Sequence, residues 1–584
     1  MILNLIHRPA YGEHYRLFRL QQDMAHQLGL KVTLLLDPRA FRDERVLKEI
    51  RQDVEKYGDE LGIWFADFKG PDFEKEVSGK EFFIWLFSQP EKKRIFEIVF
   101  KLFREIFGHD PVSIGSYHFD AGCQRLIREL CPTVKIAVAG CFEEGVKVFH
   151  GCNNSWYLFN EGMPWTSWYP SRTHALRAAT DESDWSGIVA VPHLSRDLVL
   201  SYEGRNDFFA THPANVQRAM AYRAEDCPYM YNLVDQHRLQ EKYNDGFSYC
   251  NVHVSAAWLV PNHCVADPES VSAGLYRDFL EYFVELRKQG HCQDMTMGEF
   301  ATWYRKNTPI EKPQVALAKE MLYGTGKNYF WYSDGYFRVL IDATQGGSIG
   351  DLRPYAGQVP VDTGRDTPHT IYGSYPYLIH SQYRSGIAHH SEDGARTTLF
   401  AICKGEEIDL GICPTKVAAV EKDGPNTRVR LSPAKVSFRS GVEASIETEF
   451  YFAGKGNIRI VRRLVESSDP GVEIRVREYV KGCYGVTEYP EDMKGIRLSV
   501  EGAKPAALDY AYKGQTLATD AAKAVRAQIP QVRTELVLEP EGGPALQGQA
   551  IEGYLFNPYY TLTLEKTLTR QKETQTWLRV KKLP

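Results

Sequence analysis

The chain has 584 residues, of which 43% are hydrophobic and 25% are charged, so it can bury a large core and is not a disordered protein. Its net charge of -5 argues against a general nucleic-acid binder, because such proteins carry an excess of Lys and Arg. No stretch reaches the roughly 20 apolar residues of a membrane span, and no basic segment followed by an apolar run marks a signal peptide. We therefore expect a cytoplasmic protein without nucleic-acid or membrane partners.

Residues 1–310 alternate short apolar runs with amphipathic stretches, as in a parallel sheet covered by helices. The apolar runs are 2–6, 31–36, 61–65, 112–115, 134–139, 188–191 and 247–252, and helical patterns include 91–107, 124–130, 273–289 and 297–304. No Gly-rich dinucleotide or Walker motif follows any run, so seven strand–helix units favour a barrel over an open nucleotide-binding sheet. We predict a catalytic (β/α)7 barrel over residues 1–310.

The pattern changes from about Trp331 onward. Segments of alternating polarity, such as 428–431 and 458–461, are separated by turns rich in Gly, Pro, Asp and Asn. This pattern predicts an antiparallel β-sandwich over 331–584. Residues 311–330 would form the linker, partly helical over 315–322. Eleven cysteines without a CxxC pair indicate buried reduced thiols.

In a parallel barrel the active site lies at the carboxyl ends of the strands. Titratable residues follow most of the predicted strands: His7, Asp37, Asp67, His118 with Asp120, Glu143 with Glu144, His193 with Arg196 and Asp197, and His253. For each of them alone, a surface salt bridge or a helix cap is the better explanation. For Asp120 the alternative is an N-cap, because a helical pattern begins at Gln124. Their combined presence at strand ends predicts a functional site.

Two carboxylates are the minimum equipment for cleaving a glycosidic bond. Asp120 follows the fourth predicted strand, and Glu143 and Glu144 follow the fifth, so neighbouring strands would bring them together. We assign Asp120 as nucleophile or base and Glu144 or Glu143 as general acid. A retaining or an inverting reaction would follow from their separation, about 5 Å against about 6.5–9.5 Å.

A long segment rich in aromatic residues fits neither a helix nor a strand. It contains Trp156, Trp165, Trp168, Tyr169 and Arg172. Aromatic faces stack on the C–H faces of sugars, and polar neighbours hold hydroxyl groups, so the segment predicts carbohydrate binding. The alternative is a loop that packs a small core of its own. The predicted sugar-binding set also includes His7, His118, His193, Arg196 and Asp197.

Metal binding has less support in the sequence. There is no HExxH or HxxxH motif. His118 and Asp120 would share a face in extended chain, but two ligands are too few for a site. We predict no metal and no cofactor, with a metal-dependent enzyme as the minority alternative.

Three short segments resemble the polysaccharide-deacetylase and glycoside hydrolase superfamily. Residues 5–9 (LIHRP) resemble the His-Gln-Pro that ends the first strand in family 57 glycoside hydrolases, and residues 115–120 (GSYHFD) are similar to that family's Gly-x-Trp-x-Pro-Glu. Residues 296–300 (TMGEF) are similar to a Thr-x-x-Glu-Phe/Leu segment near the end of such barrels. A barrel followed by a sandwich is also the layout of families 38 and 57. The resemblance implies Asp120 as nucleophile and His7 at the floor of the sugar site.

The chain departs from these families in several positions. Asp120 stands where the family motif has Glu, and Phe119 stands where it has Pro. The seventh predicted strand lacks the Asp that serves as the general acid in the family. The deacetylase Asp pair and HxxxH motif are missing as well. The main hypothesis is a glycoside hydrolase acting on an oligosaccharide or glycan. The alternatives are a metal-dependent carbohydrate deacetylase and a non-catalytic glycan-binding protein. The sugar, the linkage and the oligomeric state, including a homo-oligomer, stay open.

Overall fold

The structure of the chain is a computed structural model. The structure describes residues 1–73, 77, 79–81, 83–140, 163, 165–202, 210–213, 228–259, 269–357, 375–381, 395–484, 493–555 and 557–584. The described residues up to Ile310 form one compact unit, and those from Glu311 onward form a second. Among the described helices, none is both long and apolar enough to cross a membrane.

Unit 1 contains parallel strands joined by helices. Its strands are β1 Ile2–Arg8, β2 Val32–Leu36, β3 Glu60–Trp64, β4 Ser113–Gly115, β5 Ile136–Gly140, β6 Val189–Pro192, β7 Tyr249–Ser255 and β8 Gln293–Asp294. Its helices are α1 Tyr15–Gln27, α2 Glu44–Tyr57, α3 Gln89–Phe107, α4 Ala121–Leu130, α5 Pro228–Arg238, α6 Glu269–Lys288 and α7 Met297–Asn307. The predicted helical segments at 91–107, 124–130, 273–289 and 297–304 correspond to α3, α4, α6 and α7.

The sheet of unit 1 has the order β6-β5-β4-β3-β2-β1-β7, and β8 also pairs with β1. Every strand pair in it is parallel. The two end strands of this path, β6 and β7, are not paired with each other in the described part of the chain. The sheet is therefore open and has eight strands, so the predicted closed barrel of seven strands is not observed.

The edges of β6 and β7 that face the gap are hydrogen-bonded to other segments of unit 1. The backbone of Trp168 exchanges two hydrogen bonds with the middle of β6 (3.0 and 2.9 Å), which uses the edge that a neighbouring strand would need. On β7, the N–H of Asn251 donates to Ser195 Oγ (2.9 Å), and its carbonyl accepts from Thr211 Oγ1 (2.6 Å). The Asn251 side-chain amide also donates to the Pro192 carbonyl (2.7 Å). We call Ser195, Thr211 and Asn251 the seam.

The two faces of this sheet have different surroundings. One face, which we call the inner face, carries Ile6, Trp64 and Tyr249, and these pack in a core with Phe300 and Tyr304 of α7. The other face carries the alternate side chains and is covered by helices such as α1 and α6. Because both faces are buried, the strands are apolar almost throughout.

Helix α7 begins at a capping box. Thr296 Oγ1 accepts from the Glu299 N–H (3.3 Å), and the Glu299 carboxylate accepts from the Thr296 N–H (3.0 Å). This places Met297 and Phe300 against the inner core. The 296–300 segment that resembles the hydrolase motif thus starts the helix that covers the inner face.

Unit 2 consists of antiparallel strands in three sheets. Their bounds are β9 Gln314–Lys319, β10 Asn328–Ser333, β11 Phe337–Asp342, β12 Ser348–Pro354, β13 Ile379–His380, β14 Thr397–Cys403, β15 Glu406–Asp409, β16 Val417–Asp423, β17 Asn426–Leu431, β18 Ala434–Ser437, β19 Glu443–Phe452, β20 Asn457–Ser467, β21 Ile474–Gly482, β22 Arg497–Glu501, β23 Ala506–Asp509, β24 Thr516–Ala522, β25 Ala524–Ile529, β26 Thr534–Pro540, β27 Ala545–Leu555, β28 Asn557–Leu568 and β29 Thr574–Lys582. The sheet orders are β13-β12-β11-β10-β9, β15-β14-β21-β28-β27-β24, and β16-β17-β19-β20-β29-β26-β25-β22-β23 with β18 beside β19.

The two larger sheets of unit 2 share a hydrophobic core. Leu399 and Val476 of the six-stranded sheet lie in one cluster with Val436, Ile446 and Leu464 of the ten-stranded sheet. Two antiparallel sheets packed face to face form a β-sandwich. The predicted change from parallel strands with helices to antiparallel sheets is confirmed. The predicted helical character of 315–322 is wrong, because β9 pairs with β10 along its whole length.

Candidate functional site

Side chains of several strand ends meet at the carboxyl edge of the inner face. We call five of them the edge cluster: Arg8, Trp64, Tyr117, His193 and His253. The ring centroid of His253 lies 4.8 Å from that of Trp64 and 4.7 Å from that of His193. The Tyr117 ring lies 4.6 Å from His193, and the Arg8 guanidinium carbon lies 4.5 Å from the Trp64 ring centroid. Residues from β1, β3 and β7, and from just after β4 and β6, thus meet at the edge where parallel barrels place their active sites.

Gly115 on β4 provides the space for the Trp64 indole. A Cβ at residue 115 would lie 2.8 Å from the Trp64 ring and 2.8 Å from the Leu35 side chain. Carbon atoms in favourable contact are about 3.5–4.0 Å apart, so no larger residue fits without displacing its neighbours. A glycine inside a strand therefore sets the position of the ring at the centre of the edge cluster.

The edge cluster buries polar atoms that lack ordinary hydrogen bonds. His253 has a polar contact with the His193 backbone, but neither of its ring nitrogens makes a hydrogen bond of normal geometry with a described residue, and neither does Trp64 Nε1 or Arg8 Nε. Leaving a buried donor or acceptor without a partner costs about 1–3 kcal/mol, and most such groups in folded proteins are satisfied. Several unsatisfied groups at one edge of a sheet indicate a place where a ligand or water supplies the missing partners.

His253 is neutral at neutral pH. Its burial lowers the pKa of the imidazole well below the usual value, and the neighbouring His193 and Arg8 act in the same direction. A neutral imidazole offers one donor and one acceptor. That pair of functions suits a hydroxyl group, which also donates and accepts.

Asp37, just after β2, is a tightly held carboxylate at the same edge. Its Oδ1 accepts from the Tyr11 hydroxyl (3.0 Å) and from the Arg39 N–H (3.0 Å). Its Oδ2 accepts from Arg39 Nη2 (2.9 Å). Only 6% of Asp37 is exposed, so its oxygens have little freedom to move.

Asp67, after β3, is held more loosely. Its Oδ1 lies 3.2 Å from Lys69 Nζ, and its Oδ2 lies 3.6 Å from Arg39 Nη1. The backbone of Asp67 is left-handed, with a φ of 56°, which few residues other than glycine adopt. Backbone of this kind costs about 1–3 kcal/mol and is concentrated at functional sites. Asp37 and Asp67 thus place two carboxylates at adjacent strand ends with Arg39 between them.

Asp120 occupies the N-cap position of α4. Its Oδ1 accepts from the Cys123 N–H (2.8 Å), and its Oδ2 accepts from Lys92 Nζ (2.7 Å). Both side chains of the Asp120–Lys92 ion pair are fully buried. Both carboxylate oxygens of Asp120 are therefore buried and hydrogen-bonded, as in a helix cap with a buried ion pair. The N-cap is the alternative that the sequence left open for Asp120.

His7 lies on the helix-facing side of β1, not on the inner face. Its Nδ1 is hydrogen-bonded to Gln22 of α1, and its Nε2 to Tyr276 of α6. Burial lowers the pKa of His7 to about 3. Because Arg8 is the next residue along the strand, it projects to the opposite face. The structure therefore does not bring His7 to the edge cluster, and Arg8 stands there instead.

Three other predicted site residues take part in hydrogen bonds with residues of unit 1. His118 Nδ1 donates to the Ala139 carbonyl (3.2 Å). Asp197 accepts hydrogen bonds from the N–H groups of residues 199 and 200 (both 2.9 Å) and from the Tyr229 hydroxyl (2.8 Å), as a capping residue does. Arg196 is fully buried, and its carbonyl accepts from His237 Nε2 (2.9 Å). Of the predicted sugar-binding residues, the edge cluster contains only His193.

The described part of the aromatic segment packs into unit 1. Trp165 and Trp168 are almost wholly buried. The Trp168 ring packs closely on Gly140, since a Cβ atom at residue 140 would lie only 2.8 Å from it. The Tyr169 hydroxyl donates to the Thr308 carbonyl (2.7 Å), after the end of α7. Arg172 is exposed, and its Nη2 donates to the Trp185 carbonyl (3.3 Å). These contacts match the predicted alternative of a loop with its own small core.

Three predicted site residues lie outside the described residues: Glu143, Glu144 and Trp156. The general-acid role of Glu143 or Glu144 therefore stays a prediction. The stacking role of Trp156 stays one as well.

One group among the described residues has the composition of a metal site. His26, Asp53 and Asp59 place ligand atoms within 4.8 Å of one another. Gln22 Nε2 donates to Asp53 (3.2 Å) and Asp59 (2.9 Å), while Arg19 Nη1 lies 3.1 Å from Asp53. His26 Nε2 is 3.1 Å from Asp59. These donors already face the carboxylates, so we interpret the group as a hydrogen-bonded network on the helix-facing side.

Sequence reasoning missed Arg8, Trp64 and Tyr117. Arg8 follows the predicted site residue His7, and Tyr117 precedes the predicted site residue His118. Trp64 lies within the apolar run 61–65, which was interpreted only as a strand. Strand alternation puts Ile6 and Arg8 on one face and His7 on the other, but it does not say which face is inward when both are buried. The isolated glycine at position 115 was the available signal of a close approach.

Comparisons with known proteins find no matching family model and no match among curated proteins. Among solved structures, the chain is similar to the 4-alpha-glucanotransferase of Thermococcus litoralis, with 10% identity, 100% of this chain and 99% of that chain covered, and a TM-score of 0.30. A putative aldose 1-epimerase from Escherichia coli K12 has 13% identity over 44% of this chain and 100% of its own, with a TM-score of 0.29. A galactose mutarotase-like protein from Clostridium acetobutylicum has 8% identity over 46% and 98%, with a TM-score of 0.31. These neighbours do not assign the chain to a family.

Proposed function

We propose that the chain is a glycoside hydrolase that binds an oligosaccharide or glycan at the edge cluster. The observation that supports this is the set of buried polar atoms around His253 that lack normal hydrogen bonds, at the same carboxyl edge of the sheet as the Asp37 and Asp67 carboxylates. A sugar offers hydroxyl groups to the imidazoles and C–H faces to aromatic rings.

Among the described residues, Tyr117 and Phe83 provide accessible aromatic rings in this region. Both are half-buried, and their centroids lie 5.3 Å apart in an edge-to-face arrangement. Trp64 and His253 are buried beneath them, at 1% exposure each. In the proposed complex Tyr117 stacks on the sugar and His253 binds one of its hydroxyl groups. Trp64 contacts the rings of Tyr117 and His253 and fixes the positions of these two side chains.

For the chemistry we assign Asp67 as nucleophile or base. Asp120 is engaged in its cap and ion pair, whereas Asp67 is partly exposed and its Oδ1 makes no hydrogen bond of normal geometry. Glu143 or Glu144, after β5, which is separated from β3 by β4, keeps the predicted role of general acid. Cleavage then follows the two-carboxylate route, in which one group protonates the leaving oxygen and the other attacks the sugar or activates water.

Mass spectrometry of a glycan panel tests the proposal with Asp67→Asn and a matched control. Asparagine keeps the size of the side chain and tolerates the left-handed backbone. The control is Asp245→Asn, because Asp245 is exposed, has a φ of 55° and precedes β7 at the opposite edge of the sheet. Fragments at hydrolysis masses should appear with wild type and the control and fall at least about 100-fold with Asp67→Asn.

The readouts separate the alternatives. Loss of acetyl mass from intact glycans would replace the hydrolase with a deacetylase. Hydrolysis that survives Asp67→Asn at the wild-type rate would remove Asp67 from the chemistry. Binding of glycans without any change of mass would indicate a carbohydrate-binding protein.

A further inference from the structure

Among the described residues at the carboxyl edge of the inner face, the charges do not balance. Asp37 is paired with Arg39, and Asp67 lies near both Arg39 and Lys69. Arg8 has no ion pair within the part of the chain that the structure describes. In the described part of this edge, three cations therefore face two carboxylates, and the excess positive charge belongs to Arg8.

Arg8 is held in place as a binding group would be. Its guanidinium stacks on the Trp64 ring at 4.5 Å, and the side chain is half-buried, so it is partly desolvated without a counterion. Its Nε is buried and makes no hydrogen bond with a described residue. A guanidinium presents several donors in a rigid plane and binds carboxylate, sulfate or phosphate oxygens in pairs.

The neighbours of Arg8 do not supply the missing negative charge. His253 is neutral and lies against the same Trp64 ring. The Tyr11 hydroxyl donates to Asp37, and burial raises its pKa well above the usual value, so it stays protonated. An anion arriving from solution would complete the site.

We propose that Arg8 recognises an anionic group on the substrate, so that the glycan bound here is an acidic one. The inference rests on the proposed carbohydrate function and narrows its substrate class to sugars that carry a carboxylate, a sulfate ester or a phosphate. The neutral imidazole of His253 binds a hydroxyl of the same sugar, while Arg8 binds its charged group.

The test compares acidic oligosaccharides with their neutral counterparts. The pairs are a uronic acid oligosaccharide and its carboxyl-reduced form, a sulfated oligosaccharide and its desulfated form, and a phosphorylated sugar and its dephosphorylated form. Binding is measured by calorimetry and cleavage by mass spectrometry, for wild type and Arg8→Gln. The control is Arg45→Gln, because the exposed Arg45 also stacks on an aromatic ring, that of Tyr15 at 3.6 Å, on the helix-facing side.

We expect wild type and Arg45→Gln to bind one acidic ligand about 10- to 100-fold more tightly than its neutral form, and Arg8→Gln to lose that difference. The acidic pair that shows the preference identifies the anion. Equal binding or cleavage of acidic and neutral forms by wild type would overturn the inference and leave the hydrolase standing. Arg8-dependent binding of an acidic glycan without cleavage would support the inference and contradict the hydrolase. Absence of binding to every ligand would overturn both.

Discussion

His7 and His253 lie on neighbouring strands, both are buried, and both have a lowered pKa, yet their surroundings are opposite. His7, on the helix-facing side, has a partner at each ring nitrogen. His253, on the inner face, has no normal hydrogen bond to a described residue at either. The contrast teaches that burial and pKa do not distinguish a structural histidine from a binding one. The hydrogen-bond partners differ, and on this difference rests the proposal that His253 binds a ligand.

The same division extends beyond the two histidines. On the helix-facing side, Gln22 links His7 to Asp53 and Asp59, and Asp120 is paired with Lys92. These groups form satisfied networks, and their loss should lower stability. The edge cluster leaves polar atoms unsatisfied, and its loss should lower ligand affinity with little effect on stability. Three substitutions test this division.

Lys92→Met should have the largest effect on the free energy of unfolding. It leaves the Asp120 carboxylate buried without its cation, which costs roughly 3–5 kcal/mol. Lys93→Met is the control, because Lys93 pairs with Glu129 at 3.1 Å on the surface, with side chains 46% and 54% exposed. That exposed pair contributes about 1 kcal/mol or less. Equal urea midpoints for the two variants would contradict the structural role of Asp120.

The second prediction concerns His7 and pH. In the unfolded chain a histidine binds a proton near pH 6.5, but folded His7 does so only near pH 3. The unfolded state therefore gains protons first, and stability falls as pH drops from 6.5 by about 1.4 kcal/mol per pH unit for this group. His7→Phe removes that dependence, and it also takes away the hydrogen bonds that His7 makes to Gln22 Oε1 and to the Tyr276 hydroxyl.

Urea unfolding at pH 7.5 and pH 5 measures this dependence. The stability advantage of wild type over His7→Phe should shrink by about 2 kcal/mol at the lower pH. A constant difference between the two proteins would mean that His7 does not hold its neutral form in the fold. His7→Phe should also leave glycan affinity unchanged, because His7 faces the helices.

His253→Phe should have the smallest effect on stability. It removes two unsatisfied polar atoms and keeps a ring of similar size, so the free energy of unfolding should change by less than about 1 kcal/mol or rise. Glycan affinity should fall about 10-fold, because the hydroxyl of the sugar loses its partner. Calorimetric binding and a urea midpoint measured on the same preparation check both statements. A large loss of stability would place His253 with the structural histidines.

Much of the fold could be predicted from local patterns. Apolar runs bounded by polar turns predicted the strands of unit 1, because strands that are covered on both faces need such runs. The opening between β6 and β7 could not be predicted. It depends on the backbone of Trp168 using the edge of β6, a contact between segments 22 residues apart. The residues of 315–322 fit a helix or a strand by pattern, and only pairing with β10 decides between them.

The site was harder to predict than the fold. The sequence indicated the carboxyl edge, where the edge cluster lies, and named His193 and His253 there, because parallel sheets place their sites at the carboxyl ends of strands. It could not tell that His7 points away from that edge while Arg8 points toward it. It could not separate a catalytic Asp120 from a capping one either. Both questions depend on which buried partners surround a side chain, and those partners come from distant parts of the chain.

The seam has a consequence for how proteins with this sheet diverge. Where two strands share a backbone ladder, an inserted residue shifts the register and turns every following side chain to the other face. The bonds that Ser195 and Thr211 make to Asn251 come from hydroxyl groups and impose no such register. Ser195 and Thr211 are themselves joined by a backbone hydrogen bond (2.9 Å), so insertions and deletions in the chain between these two residues are compatible with an unchanged set of strands. Related proteins can therefore differ in the width of the gap between β6 and β7 at its carboxyl edge. The size of the ligand can change with it, while the sequences of the remaining paired strands are kept.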